Sequence, residues 1–145
     1  MFKRILLPTD GSALSRAAVH RGVEFAKRIQ AAVLGIVVIP ERKYYLYQTG
    51  IIVQSKEETI RQHRPEADRI LAVVTQAAQD AGVPCETLCE ASDHPHEAII
   101  EVCEKRGCDL IMMASHGRKG VASLLLGSET QKVLTHSRIP VMVLR

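Results

Sequence analysis

Apolar runs alternate with amphipathic stretches from one end of the chain to the other. Arg4 to Thr9 (RILLPT) is a short apolar run broken by Pro8, and it reads as a strand. Between Ser12 and Gln30, Leu14, Ala17, Ala18, Gly22, Phe25 and Ile29 recur at helical spacing with charges between them, the period of an amphipathic helix. Ala32 to Ile39 is a continuous run rich in β-branched residues, as expected of a strand covered on both faces. Val83 to Glu90 is a weaker, more polar strand. His96 to Lys105 sets Ala98, Ile99, Val102 and Cys103 on one helical face, and Pro95 suits its first turn. Asp109 to Ala114 (DLIMMA) is another buried strand, Ser128 to His136 a short helix, and Ile139 to Leu144 the last strand.

The stretch Pro40 to Pro65 is ambiguous. It holds all three tyrosines, in KYYLYQ, then a short run, IIV. Ser55-Lys-Glu-Glu58 has the form of a capping box that starts a helix. Pro65 then kinks that helix or restarts it. Glu66 to Ala81 is helical, with Ile70, Val73, Val74, Ala77, Ala78 and Ala81 along one side.

Strand–helix alternation implies a parallel sheet with helices on both faces and right-handed crossovers. Five strands and four helical crossovers use up the chain. Pro140 removes a ladder donor, which puts the last strand at an edge, and the polar third strand is the candidate for the other. In such sheets ligands sit beyond the carboxyl ends of the strands, where the strand order reverses. That singles out two loops: Thr9-Asp10-Gly11-Ser12 and Ala114-Ser115-His116-Gly117.

In the first loop, Asp10 is a carboxylate at a strand end, suited to ribose hydroxyls or a metal ion; the simpler reading is that Asp10 or Ser12 caps the helix starting near Ala13. In the second loop, Gly117 and Gly120 let backbone approach a ligand closely. Gly127-Ser128 then opens the last helix, whose free N–H groups and positive dipole end suit phosphate. Ser128 with Gln131 also matches a capping box. Neither G-x-G-x-x-G nor G-x-x-x-x-G-K-[ST] is present, so dinucleotide and Walker-type sites are not supported.

Composition narrows the classes. The 145 residues make one domain of ordinary size, and 19 Lys+Arg against 16 Asp+Glu leave a net charge of only +3, with no basic run to mark a nucleic-acid face. No segment approaches the roughly 20 apolar residues of a membrane span, and the N-terminus is too short in apolar residues for a signal peptide. The expected location is the cytoplasm, with Cys85, Cys89, Cys103 and Cys108 as thiols. Asp93-His94-Pro95-His96-Glu97 invites a metal reading, but Cys85 and Cys89 lie about 13 Å apart along one strand face, and His94-Pro95 is more simply a helix start. No G-x-S-x-G elbow appears, and no residue stands out as a general base, so no catalytic residue is expected.

The pattern Ala114-Ser115-His116-Gly117, nine residues, Gly127-Ser128 resembles the ATP-binding signature of the universal stress protein family: Gly, two residues, Gly, nine residues, Gly, then Ser or Thr. The resemblance runs the length of the chain, through ILLPTDGS, the valine-rich second strand, HPHEAI and IPVMVLR. It implies a Rossmann-like three-layer α/β/α sandwich with a five-stranded parallel sheet of order 3-2-1-4-5. It implies ATP with Mg2+ or Mn2+ as ligand, slow or no hydrolysis, a role in stress regulation, and a homodimer formed through Ile139 to Leu144. It places Asp10 on ribose, Val38 against adenine, and Gly117, Gly127, Ser128 and the backbone of Glu129 on the phosphates. Pro8, Thr9, Met113, Ala114 and His116 complete the candidate site as neighbours of these residues. The first glycine of the signature is Ala114 here. A position that needs φ > 0 would be strained by alanine; an extended one would not. The rival expectation is a dimeric interaction protein of the same fold without nucleotide, with Ala114 marking the loss. The tyrosine-rich loop is expected as a lid, a partner-binding patch or an irregular connection packed on a helix.

Overall fold

The computed structural model describes residues 1–48, 50–117 and 126–145. Five parallel strands form the central sheet: β1 (Arg4–Pro8), β2 (Ala32–Ile39), β5 (Cys85–Ala91), β6 (Leu110–Ala114) and β7 (Val141–Leu144). Their spatial order is β5-β2-β1-β6-β7, the expected 3-2-1-4-5 once the two strands of a separate hairpin are set aside. The order reverses between β1 and β6, so their C-terminal loops open side by side at the switch point.

Each sheet face has its own core. On one side, Ile5, Leu7, Val33, Leu110 and Met112 pack against Ala18, Val19, Val23 and Ala26 of α1 (Ala13–Ile29) and Val74 and Ala78 of α2 (Lys56–Ala81). On the other, Leu6, Leu34, Ile36, Ile111 and Met113 pack against Ile99, Val102 and Cys103 of α3 (Pro95–Lys105) and Val133 of α4 (Ser128–His136). The alternation of strand side chains sends odd and even positions to opposite layers. At Gly35 a Cβ would meet Val74 Cγ1 at 2.9 Å, so the missing side chain lets α2 lie close on β2.

The structure departs from the sequence expectations in five places. In α1 the expected Ala18 and Gly22 are buried and Leu14, Phe25 and Ile29 pack against the core, but Ala17 is exposed, and Val19, Val23 and Ala26 join the core. Helix α2 runs unbroken through Pro65 for 26 residues, with Ala67, Ile70 and Leu71 holding it against Val37 and Ile39; tertiary packing outweighs the missing donor. Its N-cap is Ser55, whose Oγ accepts from Glu58 N at 3.2 Å, but the Glu58 carboxylate turns to Arg61 and Gln62. The last strand begins at Val141, since Ser137 Oγ engages both Ile139 N (3.0 Å) and Ile139 O (2.9 Å) in a local turn. The tyrosine region is an antiparallel hairpin, β3 (Lys43–Leu46) with β4 (Gly50–Val53), rather than an irregular connection. Both edges of the main sheet fall where expected, at β5 and β7.

Candidate functional site

Strand β1 ends where Thr9 N–H donates to Ile36 O at 2.9 Å. The chain then turns through Gly11 at φ 81°, a conformation that favours glycine. Ser12 is the N-cap of α1 and accepts from Ser15 N at 3.3 Å, so of the two expected caps the serine takes the role. Asp10 Oδ1 accepts from Ser12 N (2.9 Å) and from Ser15 Oγ (3.0 Å). Thr9 Oγ1 lies 3.1 Å from Ser15 Oγ. Ser15 Oγ also lies 3.0 Å from Ser12 O, so its one proton is shared among Asp10, Ser12 O and Thr9 Oγ1. This partly buried cluster holds the Asp10 carboxylate at the C-terminal end of β1. Ser15 was not among the residues the sequence singled out, although it stands three residues after the cap.

The second loop leaves β6 at Ala114, paired in register with Leu144. Among the described non-glycine residues only Gln30 has φ > 0, so Ala114 is an ordinary strand residue without strain. It belongs to the buried core cluster that includes Val19 and Leu144. Met113 faces the opposite layer. Ser115 N–H donates to Leu144 O at 2.9 Å, and Ser115 Oγ lies 3.0 Å from His116 Nδ1. The other ring nitrogen, His116 Nε2, is buried without a hydrogen-bond partner among the described residues. Gly120, also read as a close-approach glycine, lies outside the described residues.

Helix α4 is fastened to this loop at two points. Gly127 N–H donates to Ser115 O at 2.6 Å, and Thr130 Oγ1 donates to Ala114 O at 3.0 Å from a buried position. The first bond draws Gly127 into an extended conformation (φ −67°, ψ 157°) and makes it the N-cap. Ser128 is therefore the first helical residue, exposed, and not the cap that the capping-box reading assigned it. Gly127 as N-cap has no side chain to accept from the first-turn N–H groups, which in a helix lack intrahelical partners. The second residue, Glu129, sends its carboxylate to α3, where Oε2 accepts from His96 N at 2.9 Å and Nδ1 at 3.1 Å. Burial pushes this carboxyl up, but the His96 and Lys132 contacts outweigh it and leave it below the ordinary glutamate value.

The two loops meet. A Cβ on Gly117 would overlap Asp10 Oδ2, and a Cβ on Gly127 would stand 3.1 Å from Ser115 O and 3.3 Å from His116 Cα. Asp10, Gly117, His116, Gly127 and the start of α4 therefore form one continuous crevice edge. Pro8 and Thr9 are buried behind it, and Val38 lies two residues past Ile36, the register partner of Pro8. A carboxylate, two side-chain-free backbone positions and a helix N-terminus close together at the switch point suit a phosphorylated hydroxyl compound. Among the described residues no three His, Cys, Asp or Glu side chains cluster as a metal site, and no helix is long and apolar enough to cross a membrane.

The chain matches the universal stress protein family over residues 1–145. It is similar to universal stress protein MJ0531 of Methanocaldococcus jannaschii, 31% identical over 147 residues that cover 100% of this chain and 83% of the relative. It is also similar to MJ0577 of the same organism, 28% identical and covering 100% of this chain and 96% of the relative. The solved structure of MJ0577 superimposes with a TM-score of 0.80 over 99% of this chain and 96% of that one. Two more distant structures share the fold. A universal stress protein in complex with cAMP has a TM-score of 0.71 at 22% identity, over 99% of this chain and 97% of that one. A universal stress protein from Archaeoglobus fulgidus in complex with dAMP has a TM-score of 0.68 at 15% identity, over 100% and 98%.

Proposed function

The chain belongs to the universal stress protein family, and on that premise we propose that residues 1–145 form one regulatory nucleotide-binding domain. It takes ATP with Mg2+ or Mn2+ in the crevice between the loops after β1 and β6. The observation that carries this reading is the N-terminus of α4, which among the described residues has no side-chain cap and stands beside Gly117, itself against Asp10. Two relatives of the same fold are described as complexes with adenine nucleotides, which is the ligand class this crevice suits.

In this reading Asp10, held by Ser12 and Ser15, accepts from the ribose hydroxyls. Gly117, Gly127, Ser128 and the backbone of Glu129 take the phosphates. Val38 lines the adenine side, with Pro8, Thr9, Met113, Ala114 and His116 shaping the walls. His116 Nε2, buried and without a hydrogen-bond partner among the described residues, gains one from the nucleotide. No residue of this set is placed as a general base, so hydrolysis is slow or absent. The protein acts in the cytoplasm in the stress response, as a homodimer joined along the β7 edge.

The test is calorimetric titration of the purified, dialysed protein with ATP and magnesium, after assay for nucleotide carried through purification. Micromolar binding or co-purified ATP supports the reading. A folded protein that takes up no ATP at millimolar concentration overturns it. The rival reading of a scaffold without nucleotide leaned on Ala114, and an unstrained strand residue in the core gives it no support.

A further inference from the structure

The way helix α3 ends brings two thiols together. Cys108 N–H donates to Cys103 O at 2.9 Å, and Gly107 N–H donates to Glu104 O at 3.3 Å, with Gly107 at φ 67°. This is the Schellman stop of a helix, in which the two residues joined by the longer bond also touch through their side chains. Apolar residues commonly make that contact. Here both are cysteines, and both are free thiols.

The backbone sets their reach. One hydrogen bond of 2.9 Å and about 3.9 Å of covalent chain link the two Cα atoms. They lie at most about 6.8 Å apart, within the span a disulfide bridges. Cys103 Sγ donates to Cys108 O at 3.6 Å, so its side chain turns toward Cys108. The hydrogen bond from the Cys103 thiol holds the Cys108 thiol below its ordinary value, against burial; Arg4 and Arg106 help and Asp109 opposes. The Cys103 thiol is pushed up by the same bond and by burial. Cys108 is thus the readier nucleophile and Cys103 the thiol that follows. The other two cysteines lack this arrangement. Cys85 and Cys89 stand about 13 Å apart along β5, and burial pushes both thiols up.

We propose that Cys103 and Cys108 form a peroxide-driven disulfide site at the N-terminal end of β6, the end of the sheet opposite the nucleotide crevice. The turn between them lies at the surface: Arg106 and Gly107 are exposed, and the space beside Gly107 is open. Cys108 is 5% exposed and Cys103 fully buried, which selects a reagent little larger than water over a protein disulfide. The Cys108 sulfur attacks one peroxide oxygen. An S–O bond forms, the O–O bond breaks, and the departing hydroxide leaves as water with the Cys108 proton. The Cys103 sulfur then attacks the Cys108 sulfur. The S–S bond forms, the S–O bond breaks, and a second water leaves with the Cys103 proton. Two thiols lose two electrons, one peroxide gains them, and a reducing dithiol reverses the step.

The experiment uses the full chain carrying Cys85→Ala/Cys89→Ala, which keeps only the pair. The folded protein, checked by circular dichroism, is treated with hydrogen peroxide, quenched, denatured, alkylated with iodoacetamide and weighed by mass spectrometry. The expected product is a single chain two hydrogens lighter with no alkylated thiol, which takes two alkyl groups after dithiothreitol. Adding Cys103→Ala is expected to stop the reaction at a Cys108 sulfenic acid that dimedone traps. Peptide mapping of oxidised wild type is a second reading, with Cys85 and Cys89 alkylated and Cys103 and Cys108 not. Two thiols that stay alkylatable in the folded protein at millimolar peroxide overturn the proposal, and so does a disulfide that joins two chains. Neither result depends on nucleotide binding.

Discussion

The Glu129 carboxylate holds His96 twice, accepting its backbone N–H at 2.9 Å and its ring Nδ1–H at 3.1 Å through the same oxygen. Glu129 is the second residue of α4 and His96 the second of α3. The pair thus ties two helix N-termini together beside the crevice. A carboxylate within the first turn also meets the positive end of its own helix.

Glu129→Gln removes the charge and keeps the shape. Its carboxyl sits below the ordinary value, burial opposing and the His96 and Lys132 contacts prevailing. A depressed folded value means the contribution is complete above the unfolded value, near 4.3, and lost as pH falls through the folded one. Because the side chain is partly exposed, the expected cost at pH 7 is about 1 kcal/mol. Melting curves of both proteins from pH 7 to pH 3 check this: the gap of a few degrees closes at the acid end. A gap that is constant with pH would show that the charge does not matter.

Two serines near helix starts are expected to behave differently. Ser12 is an N-cap whose side chain accepts from Ser15 N, and Ser12→Ala costs about 1 kcal/mol. Ser128 is exposed at the first helical position with Gly127 as cap, and Ser128→Ala changes stability by less than about 0.5 kcal/mol. Denaturant titration of the two variants distinguishes them; equal losses would return the cap to Ser128.

Gly117→Ala and Gly127→Val add atoms where the two loops meet. The first overlaps Asp10 Oδ2, which Ser12 and Ser15 hold through the other oxygen and the loop backbone. The second crowds Ser115 O and His116 Cα. Each is expected to weaken ATP at least about tenfold, equivalent to about 1.4 kcal/mol, in a protein that still melts cooperatively. Calorimetry beside a thermal melt reads both quantities. Undiminished affinity in both variants would remove these glycines from the nucleotide site.

Ala114→Gly restores the residue of the family signature but does not improve binding. The alanine is a strand residue in the core, so glycine loses a buried methyl and gains unfolded-state entropy. The expected cost is about 1–2 kcal/mol, with ATP affinity unchanged. A gain in affinity would show that the methyl crowds the ligand after all.

Hydrophobic spacing alone determined the alternation of strands and helices, hence the parallel sheet, and the missing donor of Pro140 determined the β7 edge. These are properties of side chains and backbone groups that hold wherever the element lies. Local pattern also located both crevice loops, since turn residues after an apolar run mark a strand end. Three features depended on distant partners. Gly127 rather than Ser128 became the cap because Ser115 O, twelve residues earlier, accepts the Gly127 N–H. Ala114 escaped strain because Leu144 pairs with it in the sheet. Tyr45 and Ile51 became opposite partners in a hairpin whose two apolar faces break the alternation that would have announced strands. Residue type and period are written in the chain; which backbone group meets which across the fold is decided by the packing of the whole.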